Sequence, residues 1–86
     1  MIFRYYEILL RTPTQLGCAN ASETIQSLGY ELESADQDFS KLNTWKLRGG
    51  TFIDPNLTNE QMFEQVDEAF KEVYDVEILE TKLFFT

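Results

Sequence analysis

The segment from Thr58 to Asp75 constrains the fold most, because its apolar and charged residues separate onto two sides of a helix. At about 100° per residue, the apolar side chains fill one arc of about 140°, and the acidic side chains fill the opposite side. Thr58 and Gln61 have the spacing of a capping box, and Leu57 and Met62 have that of a hydrophobic staple. A helix with one apolar side needs a second layer of structure to cover that side.

Segments typical of β-strands surround this helix. Several are rich in aromatic and branched residues, and others alternate between apolar and polar residues. Gly49-Gly50 has the composition of a two-residue hairpin turn, and the polar residues 34–40 indicate another turn. The predicted strands cover residues 2–11, 41–48, 51–53 and 76–85, and the alternating residues 30–33 are a candidate for an extra short strand.

A shorter helix is predicted after the first strand. Asn20 is the expected N-cap, and Glu23 stands at the position that completes a capping box. Gly29 is expected to end the helix in the left-handed conformation, with Tyr30 making the apolar contact of a Schellman motif.

The resulting order, β-α-β-β-α-β, predicts an α+β fold: a two-layer, ferredoxin-like sandwich with both helices on one face of an antiparallel sheet. A two-layer α+β fold with another strand order is the alternative. The length of 86 residues predicts a single domain spanning residues 1–86.

No residue pattern indicates catalysis, a metal site or a bound cofactor. The chain has no histidine, and its one cysteine, Cys18, is expected in a loop before a helix with no base to activate it. Asp36 and Asp38 lack the glycine and the bidentate glutamate of a calcium loop. We therefore expect a protein that is not an enzyme and that needs neither metal nor cofactor.

Negative charge is concentrated in the second half of the chain. The net charge is −8, and residues 54–80 hold nine acids and one base, Lys71. Such a chain is repelled by nucleic acid and by anionic lipid, so we expect a protein partner with a basic surface. The predicted partner-binding residues are Glu60, Glu64, Asp67, Glu68, Glu72 and Asp75.

The first and last strands are apolar on both sides, although a two-layer fold covers only one side. The uncovered side would form an exposed apolar patch, for which Tyr6 and Phe84 are the candidate residues. Such a patch favours an interface, with a homodimer as one form of it.

The lone cysteine, the absence of a signal peptide and the short apolar runs predict a cytoplasmic protein that does not enter a membrane.

Leu28-Gly29-Tyr30 at the end of the first helix, the Gly49-Gly50 pair, the length and the element order resemble the small subunit of the multi-subunit formylglycinamidine ribonucleotide synthase. The chain departs from that family's pattern at residues 15–19 and 74–76. The resemblance implies a small structural subunit of a metabolic complex.

Three functional hypotheses follow. The leading one is a non-catalytic acidic protein-binding module that inhibits or regulates a larger complex, as phage-encoded anti-defence proteins and nucleic-acid mimics do. The alternative is the structural subunit, which would use its apolar sheet face to associate. A small-molecule sensor is the third, and no ligand-specific residues support it.

Overall fold

The structure is a computed structural model that describes residues 1–84. Within these residues, the strands form one antiparallel sheet in the order β2-β3-β1-β4. The ferredoxin-like α+β fold is therefore confirmed. Phe85, at the end of the last predicted strand, lies outside the described residues. The elements are β1 (Ile2–Arg11), α1 (Gln15–Ser27), β2 (Glu31–Asp38), β3 (Thr44–Ile53), α2 (Asn59–Ala69) and β4 (Glu77–Phe84).

One face of the sheet forms the core together with both helices. α1 packs near β2 and α2 packs near β4, so each helix covers one half of that face. Each fully buried leucine or isoleucine contributes about 1.5–3 kcal/mol to stability, and the core depends on only a few of them. The most deeply buried side chains are Tyr6, Ile8, Leu10, Ala21, Ile25, Leu47, Met62 and Val66.

Helix α1 begins at Gln15, earlier than expected, and its N-cap is Thr14 rather than Asn20. The Thr14 hydroxyl accepts a hydrogen bond of 3.0 Å from the backbone N–H of Gly17. Gly17 has poor helix propensity, but a Cβ at this position would overlap the Thr12 side chain. Glycine is therefore required at position 17, because α1 approaches the end of β1 closely there.

The end of α1 is the predicted Schellman motif. Gly29 has a φ of 88°, and its N–H donates to the Gln26 carbonyl at 3.0 Å. The N–H of Tyr30 reaches back to the Ile25 carbonyl at 3.4 Å.

Gly49 and Gly50 do not form a turn, and this prediction is wrong. Both glycines lie inside β3, which continues to Ile53, while β2 continues through the predicted turn to Asp38. The hairpin turn spans residues 39–43, where Asn43 has a φ of 56° and the Asp38 carboxylate accepts hydrogen bonds from Ser40. Asparagine and aspartate favour such turns because their side chains bond to nearby backbone.

The capping box of α2 is confirmed, because Thr58 and Gln61 each accept a hydrogen bond from the other's backbone N–H. The helix is shorter than the periodicity predicts, since it ends at Ala69 with Phe70 as the C-cap. Phe70 is buried and Asp75 has a φ of 59°, so the chain turns here to bring its next residues back to the sheet.

Both edges of the sheet contain a bulge. The pairing of β4 with β1 passes over Leu79, and the pairing of β2 with β3 passes over Glu33. Bulges interrupt the row of backbone groups that an edge strand would otherwise offer to another strand.

Candidate functional site

Four of the six predicted partner-binding acids share one exposed surface on α2. Glu60, Glu64, Asp67 and Glu68 all lie within an arc of about 100° on the side of the helix opposite Met62 and Val66. We call these four residues the acidic face. Their carboxylates form rows with a rise of about 6 Å between residues four apart.

The acidic face extends beyond the helix through Asp54, which sequence reasoning did not single out. Asp54 follows β3 and lines a shallow concavity together with Leu57, Gln61, Glu64 and Glu68. The signal available in the sequence was its position five residues before a strongly acidic helix.

One end of the acidic face contacts a lysine. Lys71 approaches the Glu68 carboxylate to 2.6 Å, and this hydrogen bond raises the pKa of the lysine. Both side chains are exposed, so the pair contributes little to stability.

Glu72 and Asp75 are not part of this surface. Both lie beyond the end of α2, and the structure separates them. Glu72 faces α1, where it lines a concavity with Asn20 and Glu23, whereas Asp75 lies beside Arg11 and Glu77. The helical periodicity grouped them with the acidic face because a repeat of apolar residues does not mark where a helix ends.

The face of the sheet away from the helices carries a cluster of exposed aromatic residues. The Phe3 ring makes edge-to-face contacts with Tyr5 and Phe52, each with 5.3 Å between ring centroids. Phe84 lies opposite Tyr5 in the pairing of β4 with β1. We call Phe3, Tyr5, Phe52 and Phe84 the aromatic patch.

Tyr6 does not belong to the aromatic patch, although it was predicted with Phe84 as an interface residue. Its side chain points to the opposite face, into the core, and is 1% exposed, whereas Phe84 is 43% exposed. Phe52, 64% exposed, was missed because a turn at Gly49-Gly50 would have placed it in a separate strand. Once β3 is continuous, the alternation of side chains places it beside Phe3.

The same open face carries four of the seven basic residues of the chain, on β1, β3 and β4. Arg48 contacts Glu7 at 3.0 Å, and Lys82 approaches Glu80 at 3.6 Å. Arg11 approaches Glu77 at 3.7 Å, and Lys46 lies opposite Asp36 of β2. Each of these four bases therefore has an acid beside it or opposite it on this face.

Cys18 lies inside α1 rather than in a loop, and its thiol is buried. Burial raises the pKa of this thiol, which lowers its fraction of reactive thiolate.

Residues 1–84 contain no group of three or more side chains that could hold a metal ion. Among the same residues, no helix is long and apolar enough to cross a membrane. A scan against protein-family models and a search of the curated proteins found no match to this chain.

Proposed function

We propose that this chain is a non-catalytic protein-binding module that inhibits or regulates a larger complex by docking its acidic face against a basic surface. The observation that supports this most is the arrangement of Glu60, Glu64 and Glu68, which repeat every four residues on an exposed helix surface. Like charges at this spacing destabilise a helix by about 0.2–0.5 kcal/mol per pair. Because this row of glutamates weakens the helix, its presence is consistent with a role of the glutamates in binding a partner.

Nucleic-acid mimicry is the form of this proposal in which the partner is a nucleic-acid-binding protein. One row of carboxylates about 6 Å apart carries roughly half the linear charge of a DNA strand, which has one phosphate per 3.4 Å. Asp67 and Asp54 beside the row increase the local charge density. The acidic face would thus occupy a basic groove by the sign of its charge rather than by copying the spacing of phosphates.

The experiment is a pull-down at low salt with a salt-step elution, followed by mass spectrometry. The test variant is Glu64→Lys/Glu68→Lys. The matched control is Glu23→Lys/Glu33→Lys, which changes the net charge equally at exposed positions on α1 and β2. We expect a basic protein that is released by salt, retained by the control and lost by the test variant. Equal capture by both variants would contradict the proposal.

The aromatic patch favours a second candidate, a structural subunit that associates through its open sheet face. With about 200 Å² per aromatic side chain, the exposed fractions of 37–64% amount to roughly 400 Å² of surface. Two copies would bury about 800 Å² through the patch alone, less than the roughly 1,200 Å² of a stable interface. Each copy also carries a net charge of −8. These magnitudes favour the acidic-face proposal.

Sedimentation velocity over a range of protein concentrations tests this second candidate. Self-association that persists at high salt and is lost in Phe52→Lys would favour the subunit. The control is Leu16→Lys, which makes the same kind of change at another exposed apolar position, on α1. A monomer at all concentrations would exclude self-association through the patch.

A further inference from the structure

A groove runs between α2 and the edge strand β4, at the border of the acidic face. Its lining includes Glu60, Phe63 and Glu64 from the helix and Leu79 and Glu80 from the strand. We call it the α2–β4 groove. Its volume of about 490 Å³ lies within the range of small-ligand sites, which is about 300–1,000 Å³.

The groove combines two apolar side chains with three carboxylates. Phe63 and Leu79 are half-buried, whereas the three glutamates are exposed. Leu79 reaches this position because it is the bulged residue of β4. The described residues that line the groove include no lysine or arginine. From outside the lining, Lys82 approaches the Glu80 carboxylate at 3.6 Å, but both side chains are about half exposed, so this pair is weak.

This chemistry is complementary to one kind of protein side chain. A long aliphatic stem ending in a cation would place the stem against Phe63 and Leu79 and the cation among the glutamates. Arginine fits better than lysine, because its guanidinium binds carboxylates through two parallel hydrogen bonds and stacks on aromatic rings. Phe63 supplies such a ring beside Glu60 and Glu64.

Part of the outer edge of β4 is already hydrogen-bonded within the chain. The side-chain oxygen of Asn59 accepts a hydrogen bond of 3.0 Å from the Leu83 N–H, and the Thr81 hydroxyl donates to the Asn59 carbonyl at 3.1 Å. The start of α2 therefore occupies this part of the strand edge, and the bulge at Leu79 interrupts the rest. A partner can therefore bind here by inserting a side chain into the groove, rather than by adding a strand to the edge of the sheet.

We propose that the α2–β4 groove receives an arginine side chain presented by the basic partner. The inference rests on the proposed function, and it names the place on the molecule and the chemistry of the partner group. Insertion of an apolar stem distinguishes it from general attraction to the acidic face, because attraction alone would not depend on Phe63 or Leu79.

The test is a titration of the ¹⁵N-labelled protein with a blocked tri-arginine peptide, followed by amide chemical shifts. The same peptide with citrulline in place of arginine is the neutral control. We expect saturable shifts at Phe63, Leu79 and Glu80 with tri-arginine and none with citrulline. Tri-lysine should bind more weakly than tri-arginine.

Two variants test the groove residues. Glu64→Gln/Glu80→Gln, at exposed positions that leave the core intact, should raise the Kd about threefold to tenfold. Glu23→Gln/Glu33→Gln makes the same charge change outside the groove and should leave the Kd nearly unchanged. Leu79→Ser, which removes part of the apolar lining, should also weaken tri-arginine binding, with the amide spectrum reporting that the fold is retained.

The outcomes separate this inference from the proposed function. Shifts spread over Asp67 and Glu68, with no effect of Leu79→Ser, would overturn the groove inference and leave the acidic face as the binding surface. Absence of any shift on α2 would overturn the groove inference as well. The proposed function fails only in the pull-down, if the Glu64→Lys/Glu68→Lys variant captures the same protein as its control.

Discussion

The hydroxyl of Tyr6 donates a hydrogen bond of 2.8 Å to the backbone carbonyl of Glu31. The bond joins β1 to the edge strand β2 across the intervening strand β3. It passes over Gly49, where a Cβ would overlap the Glu31 carbonyl oxygen and approach the Tyr6 hydroxyl to 2.8 Å. The Tyr6 ring also packs on Tyr30, with 5.3 Å between ring centroids. One glycine thus permits a side-chain contact between the core and the edge strand, in addition to the pairing of β2 with β3.

Alanine at the two adjacent glycines should have unequal effects on stability. Gly49→Ala forces a Cβ against backbone and breaks the Tyr6 hydrogen bond, so we expect a loss of about 2–4 kcal/mol. Gly50→Ala meets only the tip of the Phe3 ring, which lies on the open face and can rotate away. We expect about 1 kcal/mol there. Urea unfolding of both variants is the measurement, and equal losses would show that the Tyr6 contact is unimportant.

Stability should fall in alkaline solution. Burial raises the pKa of Tyr6 well above its ordinary value, with smaller contributions from Tyr30 and from two nearby glutamates, and burial also raises the pKa of Tyr30. Above about pH 10, the unfolded chain loses these protons while the folded chain keeps them. The contribution of these two tyrosines to the free energy of unfolding is therefore fully present below pH 10. Above pH 10 it declines, by up to about 1.4 kcal/mol per pH unit for each tyrosine.

Tyr6→Phe tests this pH dependence. The variant should be less stable than the wild type at pH 7, by about 1 kcal/mol, because the hydrogen bond to Glu31 is lost. It should also show a shallower decline above pH 10, since one of the two groups no longer ionises. Tyr74→Phe makes the same atomic change at an exposed position and is the control. An unchanged slope in Tyr6→Phe would exclude Tyr6 as a source of the decline.

The N-cap of α1 can be located by mutation. Thr14→Ala removes the oxygen that accepts from the Gly17 N–H and should reduce stability by about 1 kcal/mol. Asn20→Ala, inside the helix and exposed, should be neutral or slightly stabilising, because alanine has the higher helix propensity. Thermal unfolding of both variants distinguishes the two positions, and a larger loss at Asn20 would contradict the structure.

The acidic face should be able to gain stability by losing its charge. Glu64→Lys replaces two repulsive pairs, with Glu60 and Glu68, by two attractive ones, so we expect a gain of about 0.8–2 kcal/mol. Glu64→Gln should gain about half as much, since it removes the repulsion only. Denaturant unfolding at low salt measures both, and 1 M salt should reduce the differences. A loss of stability in Glu64→Lys would show that Glu64 contributes to the fold.

Local sequence signals predicted the structure correctly where the stabilising contacts join residues that are close along the chain. The capping box of Thr58 and Gln61 and the Schellman motif at Gly29 each join residues a few positions apart, so their spacing alone predicted them. The order of the elements followed from the two hydrophobic periods, and with it the ferredoxin-like fold. The acids of α2 were placed correctly wherever the helix continues.

Some sequence signals are compatible with two structures, and only the residues that are neighbours in the fold show which of the two forms. A glycine pair serves either a turn or a close approach, and only the positions of Tyr6 and Phe3 on opposite faces of β3 show that it serves the second. The helix was predicted to begin at Asn20, with Cys18 in the preceding loop, yet Gly17 lies inside α1, where contact with Thr12 makes a small residue necessary. The end of α2 was misjudged because the return of the chain to β4 sets it, rather than the helical period.

The sequence by itself determined the element order, the sites of most caps and the net negative charge, because these depend on composition and on residues close along the chain. Only the tertiary structure decided which side of β1 is covered, and so why Tyr6 is buried while Phe3 and Phe84 are exposed. It also decided that bases and acids pair on the open face while the acids of α2 stand together. The physical reason is that strand pairing and helix packing join residues distant in sequence, and no local period records which of two faces will be buried.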